Sequence, residues 1–237
     1  EASQATMGKM TILIAFCLLG TASARFLPRF VLPKSVHERN YAGTCSEDDQ
    51  AKTKTCLDAN FATFGFDTSE GLPPYTEFAF KKGTIVQQYG ADSFDFYCDF
   101  ERTLETCLGA LMTSACMNVQ SFVVMYGTTE IDALDYAINY PIDVYGCQNI
   151  DLTKKYYPCT NLNHDDFQAL SNCRIAMEKE HQDGADTCVP LDDFVSCAED
   201  VYVKSCDEGV RSYICNMQEI EMNFVFNDMC AEKMHKC

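Results

Sequence analysis

The spacing of apolar positions along the chain predicts a mostly α-helical protein with few strands. In Glu130–Ile138, Ile131, Leu134 and Ile138 fall on one helical face, acids occupy the first turn, and Pro141 is expected to close the helix. Met217–Met234 repeats the idea with Ile220, Phe224 and Met234. Thr103–Val124 and Asp192–Tyr213 mix Leu, Ala, Glu, Met and Val and also read as helices, either continuous or broken near Gly109 and before Asp192. Gly71-Leu-Pro-Pro-Tyr75 and Lys82-Gly83 punctuate the first half and predict a loop or short extended piece. Lys154–Thr160, with Tyr156-Tyr157-Pro158, reads as a linker.

One apolar run has a different character. After Met7 and Lys9 come Thr11-Ile-Leu-Ile-Ala-Phe-Cys-Leu-Leu-Gly20 and then Ala22-Ser23-Ala24. A charged start, a short apolar stretch and a small-x-small site describe a secretion signal cleaved after Ala24. The run is well short of the roughly 20 residues a bilayer core requires. The expected product is therefore secreted and extracellular, without a membrane span.

Cysteine usage fits that compartment. The chain has 15 cysteines, and Cys17 lies inside the signal, so an odd count becomes an even 14. Even parity is what disulfide pairing in an oxidising compartment requires. The cysteines expected in disulfides are Cys45, Cys56, Cys98, Cys107, Cys116, Cys147, Cys159, Cys173, Cys188, Cys197, Cys206, Cys215, Cys230 and Cys237. A metal site is not expected, because no C-x2-C pair occurs and His37, His164, His181 and His235 are scattered.

The spacing suggests duplication. A shift of 90 residues carries Cys98, Cys107, Cys116 and Cys147 onto Cys188, Cys197, Cys206 and Cys237. The implied organisation is a removed leader (1–24), an N-terminal extension (25–44), a first cysteine-rich helical module (45–147), a linker (148–158) and a second, divergent copy (159–237). In this reading the second copy gained Cys215 and Cys230, which would bridge each other. Nine residues of helix rotate by roughly 180°, so one helix carrying Cys98 and Cys107 could be stapled on opposite sides. Pairing Cys98 with Cys116 along one straight helix is excluded, because the two would lie about 27 Å apart.

Cys45…Cys56, the Phe61–Phe66 segment with Leu72-Pro73-Pro74-Tyr75, Cys98-x8-Cys107-Leu108-x7-Cys116 and Tyr145-Gly146-Cys147 together resemble a secreted cysteine-rich domain found in one or two copies in nematode proteins. That family has no established activity. The resemblance implies a disulfide-stapled extracellular module and supplies no catalytic residue.

Charge narrows the partners. With 18 basic and 35 acidic residues the formal net charge is −17, which disfavours nucleic acid. Extracellular proteins, calcium or a mineral surface remain compatible. The acids form short clusters, Glu47-Asp48-Asp49, Asp165-Asp166, Asp192-Asp193 and Glu199-Asp200, expected to be a solvated surface with ion binding as the alternative. Asn161-Leu-Asn163-His-Asp165 has the early oxygen spacing of a calcium loop. It fails at Asp166 and Asn172, where such a loop needs Gly and Glu, so Asn163 or Asp165 is expected to cap the next helix.

No G-x-S-x-G or H-E-x-x-H motif occurs. His181 with Asp183 and Asp186 could mimic an acid/base pair, but a turn at Gly184 explains the same residues. No enzyme activity and no cofactor are expected. The function anticipated is an acidic, disulfide-rich structural or interaction component, of an extracellular or mineralised matrix. The alternative is a carrier of a small hydrophobic ligand between helices, suggested by Phe94, Phe96, Tyr97 and Phe100 around Cys98 and by Phe122, Tyr126, Tyr136 and Tyr140 beyond.

Overall fold

The structure is a computed structural model that describes residues 45–237 apart from 161, 185, 187, 227–229 and 231. The leader with Cys17, the extension 25–44 and Asn161 lie outside the described residues. Among those described there are helices and no strands. The chain divides into two compact units at Ile150/Asp151.

The first unit holds α1 (Glu47–Thr63), α2 (Tyr75–Tyr89), α3 (Ser93–Leu108), α4 (Val119–Tyr126) and α5 (Glu130–Gln148). Helix α1 begins where the Ser46 hydroxyl accepts the Asp49 N–H at 3.2 Å, and Glu47, Asp48 and Asp49 face the positive end of its dipole. It buries Thr53, Cys56, Leu57, Asn60 and Phe61, the three-and-four spacing of one helical face. The same spacing sets the inward faces of α2 (Tyr75, Phe78, Ala79, Lys82, Val86) and α3 (Phe94, Tyr97, Cys98, Glu101, Leu104, Leu108). Helix α1 packs on α3, and α5 packs on α3 and α4. Gly71 has φ of +112°, and a Cβ there would meet the Tyr126 carbonyl oxygen at 3.0 Å, so this turn requires glycine.

The second unit holds α6 (Ile150–Thr160, counted here although Ile150 lies on the boundary), α7 (His164–Gln182), α8 (Cys188–Ser205) and α9 (Arg211–Phe226). Helices α7 and α8 form an antiparallel hairpin whose turn carries Gly184 at φ +88°, and α9 packs on α8. Asn163 caps α7 by accepting the N–H groups of Asp165 and Asp166 at 2.9 and 3.0 Å, as expected from the sequence.

Several boundaries differ from the sequence reading. Pro141 does not close its helix; α5 continues to Gln148, and burial of Ile142 and Asp143 with the Cys98–Cys147 bond holds the turns beyond the proline. Lys82-Gly83 is not a loop but the buried interior of α2. The stretch 148–158 is helical from Ile150, with Thr153 and Tyr156 buried. The helix around Cys107 breaks at Gly109 into short 3-10 turns, and the one around Cys197 runs from Cys188 to Ser205 and stops there. The last helix is described over Arg211–Phe226, and Met234 lies outside it in a bend.

All 14 described cysteines are paired, each within its own unit. The first unit contains Cys45–Cys116, Cys56–Cys107 and Cys98–Cys147. The second contains Cys159–Cys206, Cys173–Cys197, Cys188–Cys230 and Cys215–Cys237. Helix α3 is stapled on opposite sides, to α5 through Cys98 and to α1 through Cys107. Helix α8 is likewise held through Cys188 and Cys197. Cys215 and Cys230 do not bridge each other. They split the bond that the 90-residue shift would place between Cys188 and Cys237, each taking one of its ends.

Candidate functional site: two ionic clusters among helices

The first unit is built around rings. Phe61 meets Phe78, Tyr126 and Tyr136 edge-on at centroid distances of 5.3–6.3 Å, and Phe122 stacks on Tyr126, Tyr136 and Tyr140. Phe94 and Tyr97 join this core, whereas Phe96 is exposed and faces Tyr89 at the surface. Apart from the exposed Phe96, the aromatic residues singled out in the sequence therefore fill space within the core.

Three charged side chains sit inside that core because the helical register leaves them no other place. Lys82, Glu101 and Asp143 occupy inward positions of α2, α3 and α5. Lys82 Nζ pairs with Asp143 Oδ2 at 2.6 Å, with both side chains buried. Asn139 donates to the same Asp143 oxygen, and its own Oδ1 accepts from Tyr75 at 3.0 Å. Tyr97 donates to the Lys82 carbonyl oxygen at 2.5 Å. Burial raises the Asp143 carboxyl, opposed by Lys82 and Asn139. Glu101 is pushed up to about 8, first by burial and then by the Asp143 charge, with Lys82 pulling the other way. Glu101 Oε2 and the Tyr140 hydroxyl have no hydrogen-bond partner among the described residues, and each is a polar group held at cost in the interior.

The Glu101 position makes a pH effect expected. Its folded value lies above the unfolded value of 4.5, so the folded state binds the extra proton between the two. The associated stability is fully present below pH 4.5 and lost as pH rises through about 8. Urea midpoints at pH 5, 7 and 9 should fall more steeply for the native protein than for Glu101→Gln. Equal slopes would remove the assignment.

The second cluster lies at the C-terminal end of the other unit. His235 Nδ1 is 2.8 Å from Asp192 Oδ1, and its Nε2 is 2.8 Å from Glu199 Oε1. The His235 N–H also donates to Asp192 at 2.8 Å. Asp192 and Glu199 stand seven residues apart on α8, two turns along one face, which is why both reach the same ring. Arg211 closes the network, contacting Glu199 at 3.1 Å, Asp200 at 2.9 Å and Glu208 at 2.5 Å. Partial burial works against the imidazolium, but hydrogen bonds to Glu199 and Asp192 outweigh it and hold His235 above its ordinary value. Cys215 Sγ lies 3.5 Å from His235 Nε2.

The acidic clusters thus divide by role. Asp165-Asp166 belongs to the cap of α7, where Asp166 also accepts from Ser205 at 2.7 Å. The other two clusters on α8 each contribute a carboxylate to the His235 network and leave Asp193 and Asp200 exposed. Asp165 and Asp166, with Lys204 and Ser205, line a polar surface recess of about 470 Å³. His181 does not join a carboxylate pair: Asp186 instead binds Lys233 at 2.7 Å, and the segment turns at Gly184.

Lys82, Glu101, Asp143 and His235 were missed as site residues from the sequence. For the first three a signal existed, since each is a charge interrupting an apolar helical stripe. His235 carried none, because its partners are 36 and 43 residues away. No described helix is long and apolar enough to cross a membrane. Comparison of the chain with protein-family models, curated proteins and solved structures returned no match.

Proposed function

We propose that the chain is a secreted, non-enzymatic protein that presents a rigid acidic surface as an extracellular structural or interaction component. The observation that carries this reading is the closure of all 14 described cysteines into seven disulfides. Such a framework persists in oxidising compartments, and a signal-like run leads the sequence. A formal net charge of −17, with Glu47, Asp48, Asp165, Asp193 and Asp200 exposed, gives the surface its character. Its ionic clusters are engaged internally, which suits a scaffold better than a reactive site. Descent of both units from one module belongs to the same reading. The correspondence of Cys45–Cys116 with Cys159–Cys206, and of Cys56–Cys107 with Cys173–Cys197, supports it.

The partner class proposed is a calcium-bearing mineral or matrix surface. The purified secreted protein should adsorb to calcium carbonate more strongly than a control protein of equal size and net charge, and salt should release it. Adsorption equal to the control would remove the mineral component of the proposal.

A further inference from the structure

Cys215 occupies an unusual position for a disulfide sulfur. Among the described residues, Glu199, Cys215 and His235 bring a carboxylate oxygen, a sulfur and a ring nitrogen within 4.8 Å of one another. In the structure Cys215 is bonded to Cys237, so its sulfur is a poor ligand. We propose that these three residues form a site for a divalent cation of the zinc class, latent while the Cys215–Cys237 disulfide is closed and completed when a dithiol opens it.

The distances support the assignment. A tetrahedral ion with bonds of about 2.0–2.1 Å to nitrogen and about 2.3 Å to sulfur places those ligands roughly 3.6 Å apart. Cys215 Sγ and His235 Nε2 stand 3.5 Å apart. The corresponding nitrogen–oxygen edge is roughly 3.4 Å. The 2.8 Å hydrogen bond between His235 Nε2 and Glu199 Oε1 therefore opens by about half an ångström as the ion replaces the shared proton. Asp192, 2.8 Å from Nδ1, holds the ring so that Nε2 faces Glu199 and Cys215, where its lone pair reaches the ion once the shared proton leaves.

Charge supports it as well. With the disulfide closed, Asp192 and Glu199 both contact His235, and Glu199 also contacts Arg211, which holds Asp200 and Glu208 as well. Opening the bond releases an anionic sulfur that is almost completely buried, with Cys215 only 2% exposed. A divalent cation beside that thiolate supplies the positive charge the buried sulfur otherwise lacks. The closed state lacks that thiolate, and its disulfide sulfur offers the ion no anionic ligand.

The exchange balances in two steps. A thiolate of the dithiol attacks the sulfur of Cys237, an exposed residue, the old S–S bond breaks, and Cys215 leaves as a thiolate onto the cation. The second thiol of the reagent then gives up its proton and displaces Cys237, which leaves as a thiolate and takes up a proton in its place, and the reagent departs as its cyclic disulfide. The electron pair comes from the dithiol, and His235 gives its Nε2 proton to solvent.

The test uses cobalt(II) as an optical probe on the full secreted protein. Cys237→Ser frees Cys215 without a reductant and should produce a thiolate-to-cobalt charge-transfer band. Its affinity should exceed that of the Cys215→Ser/Cys237→Ser control by at least about 10- to 100-fold, and Asp192→Asn added to Cys237→Ser should weaken it by roughly 10- to 100-fold. Equal affinity in Cys237→Ser and the control, with helical circular dichroism retained, overturns the proposal. If Cys237→Ser does not fold, the native protein is titrated with a dithiol with and without zinc, and its thiols are mapped by alkylation. Zinc should promote opening of Cys215–Cys237 and shield Cys215 from alkylation. An unchanged opening profile with Cys215 fully alkylated overturns the proposal by that route.

Discussion

Lys82→Met is expected to destabilise the 45–150 unit by about 3–5 kcal/mol, because it leaves Asp143 in a buried site without its cation. Asn139 still donates to Asp143, but a neutral amide cannot balance a buried carboxylate, and Asp143 must take up a proton or draw in water. The informative companion is Lys82→Met/Asp143→Leu. It removes both charges and should recover most of the loss, since apolar replacement of a buried pair is often neutral or better. Urea unfolding of the three proteins at one pH measures both effects. A single variant within about 0.5 kcal/mol of native would mean that the pair is not sequestered as the structure places it.

Removing Cys98–Cys147 should have an effect of similar size. The bond closes a separation of 49 residues, for which loop entropy alone gives about 4 kcal/mol. It also secures the turns of α5 beyond Pro141, so Cys98→Ser/Cys147→Ser should expose that end first. Limited proteolysis should yield early cuts within 45–150, while 151–237, with its four disulfides untouched, stays protected. Early cuts concentrated in 151–237 would contradict this expectation.

Much of the fold was legible from local pattern. The helical periodicity of α5 and the Asn163 cap follow from local spacing, and the nine residues between Cys98 and Cys107 set them on opposite sides of α3, although their partners come from distant helices. Lys82-Gly83 was misread because glycine and lysine are locally poor evidence for a buried helix. Only the apposition of Asp143 and Asn139 on α5 makes that position tolerable. Pro141 was misread for a related reason: the missing N–H argues for a helix end, and burial of the following turn overrides it.

The sequence by itself determined the helical class and the acidity, because these depend on composition and on spacings along one chain. Tertiary structure decided which cysteines join, separating Cys215 from Cys230 by linking one to Cys237 and the other to Cys188. It also decided that His235 stands between Asp192 and Glu199. Both outcomes depend on where distant helix faces meet. Disulfide pairing and ionic contact act over a few ångströms in space, and a linear spacing does not specify which remote residues come that close.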